Sequence, residues 1–104
     1  MPASGGFVAV VVIELHFPDA GSLKAKRQEL RSIKAQLHGR LGATVAETGH
    51  QDLWQRATLT AALTGGSLRR LAASVDELER WVLARWPEAA SVRRMYASVK
   101  DLGG

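Results

Sequence analysis

A two-layer α+β sandwich with the element order β-α-β-β-α-β is the fold class this sequence predicts, and three observations predict it. The stretch over 7–17, β-branched and apolar on both faces for its first half, reads as a central strand. Two later segments carry apolar residues at three- and four-residue steps, the signature of helices with one buried face. The segments between and after them alternate apolar and polar residues with a period of two, as strands do. At 104 residues the chain holds one core and one domain. It contains no cysteine, which excludes a disulfide framework, a thiolate nucleophile and a cysteine-type zinc site, and fits a reducing cytoplasm.

Taken in order, 1–6 is small and polar and reads as a flexible tail. In the first strand Phe7, Ala9, Val11, Ile13, Leu15 and Phe17 share one face, expected to be the core face. Val8, Val10, Val12, Glu14 and His16 share the other. The run breaks at Glu14, too early for a membrane span. Pro18-Asp19-Ala20-Gly21 is turn chemistry and Ser22 a good N-cap. Leu23, Leu30, Ile33, Leu37 and Leu41 form the stripe of a helix expected to end near His38, at Gly39 and Gly42. Lys26 falls close to that stripe and is expected to snorkel out along its methylenes.

A short strand over 43–48 with Val45 inside precedes a second one over 54–64. There Ala57, Leu59, Ala61 and Leu63 face the core, and Trp54, Arg56, Thr58 and Thr60 face away. Gly65-Gly66 breaks this strand and Ser67 caps a second helix. Its stripe of Leu68, Leu71, Val75, Leu78 and Val82 runs to Trp86-Pro87. The last strand is expected over 90–100, with Met95, Ala97 and Val99 on one side and Arg94, Tyr96 and Ser98 on the other; 101–104 reads as a tail.

This order is the split βαβ arrangement of a ferredoxin-like fold, a single domain over 7–100 with an antiparallel four-stranded sheet. Right-handed crossovers place both helices on one face of the sheet. The other face, expected to carry Val8, Val10, Val12, Thr58, Thr60 and Tyr96, is too apolar to stay in water, so self-association through it is expected, as a homodimer or higher.

Charge is segregated as well. Six cations stand between Ser22 and Leu41 against Glu29 alone, within a chain of formal charge +4. Lys24, Arg27, Arg31, Lys34 and His38 follow a 3-4-3-4 rhythm and line one flank of the first helix, a ridge suited to phosphates. Trp54 and Arg56 are possible additions to such a surface, Trp54 as a stacking platform; Trp81 and Trp86 lie by the second helix stripe and read as packing anchors. Glu14 with His16, and His50 with Asp52, lack a metal-site spacing, so neither a metal nor a catalytic group is assigned and no cofactor is expected. Gly65-Gly66-Ser67 lacks the glycine pattern and lysine of a nucleotide loop and reads as a turn and a cap.

Two stretches carry a family likeness: Ser22-Leu23-Lys24-Ala25-Lys26-Arg27, and the run from Val45 through Glu47-Thr48-Gly49-His50-Gln51-Asp52-Leu53-Trp54-Gln55-Arg56 to Ala57. With the Glu-Leu-His end of the first strand they resemble the YlxP-like family of small bacterial proteins of unassigned function. The resemblance implies a cytoplasmic ferredoxin-like domain that self-associates. In many members the gene lies beside those for a translation initiation factor and a ribosome-binding factor, which implies a role in ribosome assembly or translation. The expectation is therefore a non-enzymatic accessory protein with the ribosome or ribosomal RNA as partner, and no membrane partner. The alternative is a homo-oligomeric module that binds a small ligand or a protein at its sheet face or subunit interface.

Overall fold

The computed structural model describes residues 5–19 and 21–103. The tail expected over 1–6 lies outside these residues up to position 4, and so do Ala20 and Gly104. Strand β1, Phe7–His16, is followed by helix α1, Leu23–Leu41, strands β2, Thr44–Gly49, and β3, Arg56–Gly65, helix α2, Leu68–Arg85, and strand β4, Ala90–Ser98. The sheet order is β2-β3-β1-β4, antiparallel throughout, so the chain has the ferredoxin-like α+β fold expected from its element order. Phe7–His16 is central because it is apolar on both faces along most of its length: it pairs with β3 on one side and β4 on the other.

One core fills the space between sheet and helices. Ala9, Val11, Ile13 and Leu15 from β1 meet Leu30, Ile33 and Leu37 from α1 and Leu71, Val75, Leu78 and Val82 from α2. Trp81 and Trp86 pack against its edge, as their positions by the helix stripe suggest. Both helices start where the sequence places a serine: Ser22 Oγ accepts from the Ala25 N–H at 3.0 Å, and Ser67 Oγ accepts from the Arg70 N–H at 3.3 Å. The Gly65-Gly66-Ser67 turn thus serves as a helix start, and Gly65 lets the chain pass close to Leu71, whose Cβ would stand 3.2 Å from an added Cβ.

Three boundaries differ from expectation by two residues or more, and the other strand ends by at most one. Helix α1 does not stop near His38 but continues through Gly39 to Leu41. Gly42 takes the left-handed conformation, φ 68°, that closes a helix: its N–H donates to the His38 carbonyl at 2.8 Å, and the Ala43 N–H to the Leu37 carbonyl at 3.3 Å. An alanine at 39 or 42 would meet nothing sterically, so it is backbone conformation that selects Gly42 as the end. Strand β3 begins at Arg56, which leaves Trp54 in the connecting loop. Strand β4 ends at Ser98, and Val99–Leu102 forms a short helical turn, α3, in place of two more strand residues and a tail. Ser98 Oγ caps that turn through the Asp101 N–H, and the Val99 N–H donates to the Gly6 carbonyl at 2.7 Å.

Candidate functional site

The cations of α1 divide into two groups. Lys24, Arg27 and Arg31 are exposed and Lys34 is partly buried, and none of them stands in an ion pair among the described residues. At about 100° per residue, Glu29 sits roughly half a turn around the helix from this ridge. Glu29 meets Arg85 of α2 at 3.1 Å, so the ridge lies on the flank facing away from α2, along the side of the molecule where β2 is the edge strand. His38, the last member of the row, is held near the α1–β2 junction, with its Nδ1 3.3 Å from the Ala43 carbonyl.

Lys26 belongs to neither water nor the ridge. The expectation that it snorkels outward is wrong: it is 2% exposed, at the level of the core leucines. Its ammonium donates to the carbonyls of His50, at 2.6 Å, and Leu53, and lies 2.9 Å from a carboxylate oxygen of Glu47. A buried ammonium is tolerable only when its donors are used and its charge is opposed, and here both conditions hold. The signal was present in the sequence. Lys26 is four residues before Leu30 on the stripe, and Glu47 is two after Val45 on the inward side of β2, a cation and an anion both aimed at the core layer.

The loop fastened by Lys26 carries Trp54, 46% exposed, together with exposed Leu53. His50 adopts φ 59° there, and the Gln55 carbonyl accepts from the Phe17 N–H at 2.7 Å. Trp54 is therefore presented at the end of the molecule where α1 begins. Arg56 is not brought to the same surface. It pairs with His16 in the β1–β3 register, and His16 belongs to the face of the sheet opposite the helices.

That open face carries Val8, Val10 and Val12, all partly buried, flanked by Thr58 and Thr60 of β3. Thr60 is also tied to Thr48 of β2 by a 2.8 Å hydroxyl contact. Tyr96, expected on this face, is not there. In the β1–β4 register Tyr96 lies opposite the buried Ala9 and Met95 opposite Val10, so Met95 and Ala97 extend the valine row and Tyr96 turns to the helices. Arg94 accompanies it and donates to Asp76 and, at 3.0 Å, Glu79 on α2, and to the Tyr96 hydroxyl at 3.3 Å. The hydrogen bond to Asp76, then that to Glu79, raises the Arg94 pKa above its usual value.

Glu14 and His16 lie together at the far end of the open face, but among the described residues no group of three His, Cys, Asp or Glu side chains is placed to hold a metal ion. The cleft between Phe17, Lys26 and Trp86 is about 400 Å³. Its mouth is spanned by the Glu29–Arg85 pair, with the Arg85 guanidinium stacked over Trp81 and Trp86 at 5.4 and 5.0 Å from their ring centres.

Comparison with known proteins agrees with this fold. A designed protein, "De novo designed protein Foldit4", superposes with a TM-score of 0.56 at 8% identity, over 88% of this chain and 96% of that one, a likeness of fold alone. The curated "Uncharacterized protein YlxP" of Bacillus subtilis (strain 168) is 35% identical over 74 residues, spanning 62% of this chain and 80% of that protein. The sequence profile of a family described as "Protein of unknown function (DUF503)" matches residues 8–95, from the first strand to the last. The chain thus belongs to the DUF503 family of proteins of unknown function.

Proposed function

We propose that this protein is a non-enzymatic accessory factor that binds RNA, foremost the RNA of the ribosome, through phosphate contacts from Lys24, Arg27, Arg31 and Lys34. The observation that carries this reading is the separation between used and unused cations. Lys26, Arg85 and Arg94 are committed to carboxylates of neighbouring elements, whereas among the described residues the α1 ridge keeps its charges unpaired on one flank with no acid among them. Unpaired cations spaced by one helical turn can follow a phosphate backbone and displace its counterions. Trp54, fixed near the start of the helix, adds a surface on which an unpaired base can stack. Arg56, on the opposite side of the sheet, plays no part in this contact. Sedimentation of cell lysate tests the reading: the protein travels with ribosomal subunits at about 50 mM salt and is released by about 200 mM. A protein that stays at the top of the gradient in both would overturn it.

A second reading is self-association through the open sheet face, favoured by the row of Val8, Val10, Val12, Met95 and Ala97, in which Met95 is 44% exposed although both long helices pack on the other side. Each valine that leaves water contributes roughly 1.5 kcal/mol, and two-fold symmetry doubles the row. Val10→Lys puts a charge at its centre. Light scattering is expected to show the wild type as a dimer and the variant as a folded monomer; a monomeric wild type at high micromolar concentration, or a variant that keeps the wild-type mass, would exclude this interface.

A further inference from the structure

At the His16 end of the open face, Glu14 stands between two adjoining hollows. One, about 470 Å³, is lined by Glu14, His16, Arg56, Glu88 and Ser91; the other, about 330 Å³, by Val12, Glu14, Ser91 and Arg93. Glu14 Oε1 is shielded from solvent and accepts no hydrogen bond among the described residues. Arg56 and Arg93 occupy the diagonal positions on the neighbouring strands, since Glu14 pairs with Thr58 and Ser91 while Arg56 pairs with His16 and Arg93 with Val12. Among the described residues neither arginine is in an ion pair and no cation lies within ion-pair distance of Glu14. A shielded carboxylate oxygen without a donor is costly to a fold, and two unused guanidinium groups beside it are an unusual accompaniment.

The charge pattern narrows what could complete this arrangement. A lone anion would serve the arginines but meet the Glu14 carboxylate and leave Oε1 without a donor. A lone metal ion would find too few oxygens and two positive neighbours. A molecule bearing both an ammonium and an acidic group answers Glu14 and the two arginines at once, and its ammonium has the Glu88 carboxylate in the wall of the same hollow. We propose that these hollows bind a small zwitterion, an amino acid or a phosphorylated amine, with its ammonium donating to the Glu14 carboxylate and its own carboxylate or phosphate held by Arg56 and Arg93. The proposal does not rest on the RNA reading, because the α1 ridge lies across the sheet, and it meets the valine row only at Val12, which lines the second hollow.

Calorimetric titration of the full chain with glycine, aspartate, glutamate and O-phosphoethanolamine, each paired with a thermal melt, tests it. At least one of these is expected to bind saturably and raise Tm, while ethylamine and acetate at the same concentration do neither. Glu14→Gln is expected to weaken that binding roughly tenfold to a hundredfold, the loss of one charge-assisted hydrogen bond, and to leave the ligand-free Tm unchanged or raised. Arg56→Ala and Arg93→Ala weaken it too, whereas Arg69→Ala on α2 does not. Silence from all four zwitterions at millimolar concentration, undiminished binding by Glu14→Gln, or equal binding of acetate alone would each overturn the proposal.

Discussion

Lys26→Met is expected to lower the stability of the domain by about 3 kcal/mol or more, a fall in Tm on the order of 15 °C. Methionine keeps most of the aliphatic stem, so the loss isolates the ammonium. Without it, the His50 and Leu53 carbonyls lose their donor and the Glu47 carboxylate, whose side chain is only 18% exposed, loses its counter-charge. Breaking one half of a buried pair costs more than the pair contributed, because the remaining charge stays buried. The double variant Lys26→Met, Glu47→Leu therefore recovers part of the loss. Urea and thermal unfolding of the three proteins measure this, and Lys26→Met within 1 kcal/mol of wild type would show that the latch is not structural. The same variant loosens the loop that presents Trp54, so indole fluorescence is expected to shift as that ring gains freedom.

The Lys24→Glu, Arg31→Glu variant is expected to leave the fold intact and remove most RNA affinity. Both side chains are exposed and unpaired, so stability changes by no more than about 0.5 kcal/mol. Each phosphate contact contributes roughly 0.7 to 0.9 to the slope of log affinity against log salt, so losing two lowers that slope by about 1.4 to 1.8. The new carboxylates also repel the backbone. Fluorescence anisotropy with a ribosomal RNA fragment over a salt series measures the slope, and an unchanged slope would sink the phosphate ridge. The His50 loop offers an internal control: a Trp54→Ala protein loses affinity without a change of slope, because stacking releases no counterions.

The fold was legible because each element carries its own period. Ala9, Val11, Ile13 and Leu15 are buried and Phe7 packs partly buried against the core. The helix stripes are buried at 30, 33, 37 and 71, 75, 78, 82, while Leu23 and Leu41 are partly buried and Leu68, expected in the second stripe, is exposed at the first turn. Both serine caps stand where their side chains require. Composition settles these local matters, since an apolar stripe has nowhere else to go. Tyr96 was not legible in the same way. Met95, Tyr96 and Arg94 are all amphipathic, so either face of β4 could have been the inner one, and a slip of one residue exchanges the whole set.

What decided β4 is what its inner face meets from distant segments. Ala90 and Val92, on the same face as Arg94 and Tyr96, pack against the core opposite Leu15 and Ile13, and two acids of α2 hold Arg94 there. These acids, Asp76 and Glu79, stand one turn apart on the side of α2 that overlooks β4. Lys26 shows the same division. Its place near the stripe of α1 is written in the sequence, but whether its ammonium bends out to water or stays inside depends on the carbonyls and carboxylate that β2 and its loop bring within 3 Å. The sequence by itself determined the element order, the core stripes, the caps and the basic ridge of this DUF503 domain, because each follows from spacing within one segment. The facing of β4, the burial of Lys26, the isolation of Glu14 between two arginines and the separation of Arg56 from the ridge were decided only in the tertiary structure. Each depends on which partner arrives from a distant segment, and a polar side chain with two possible environments goes to the one that satisfies its hydrogen bonds.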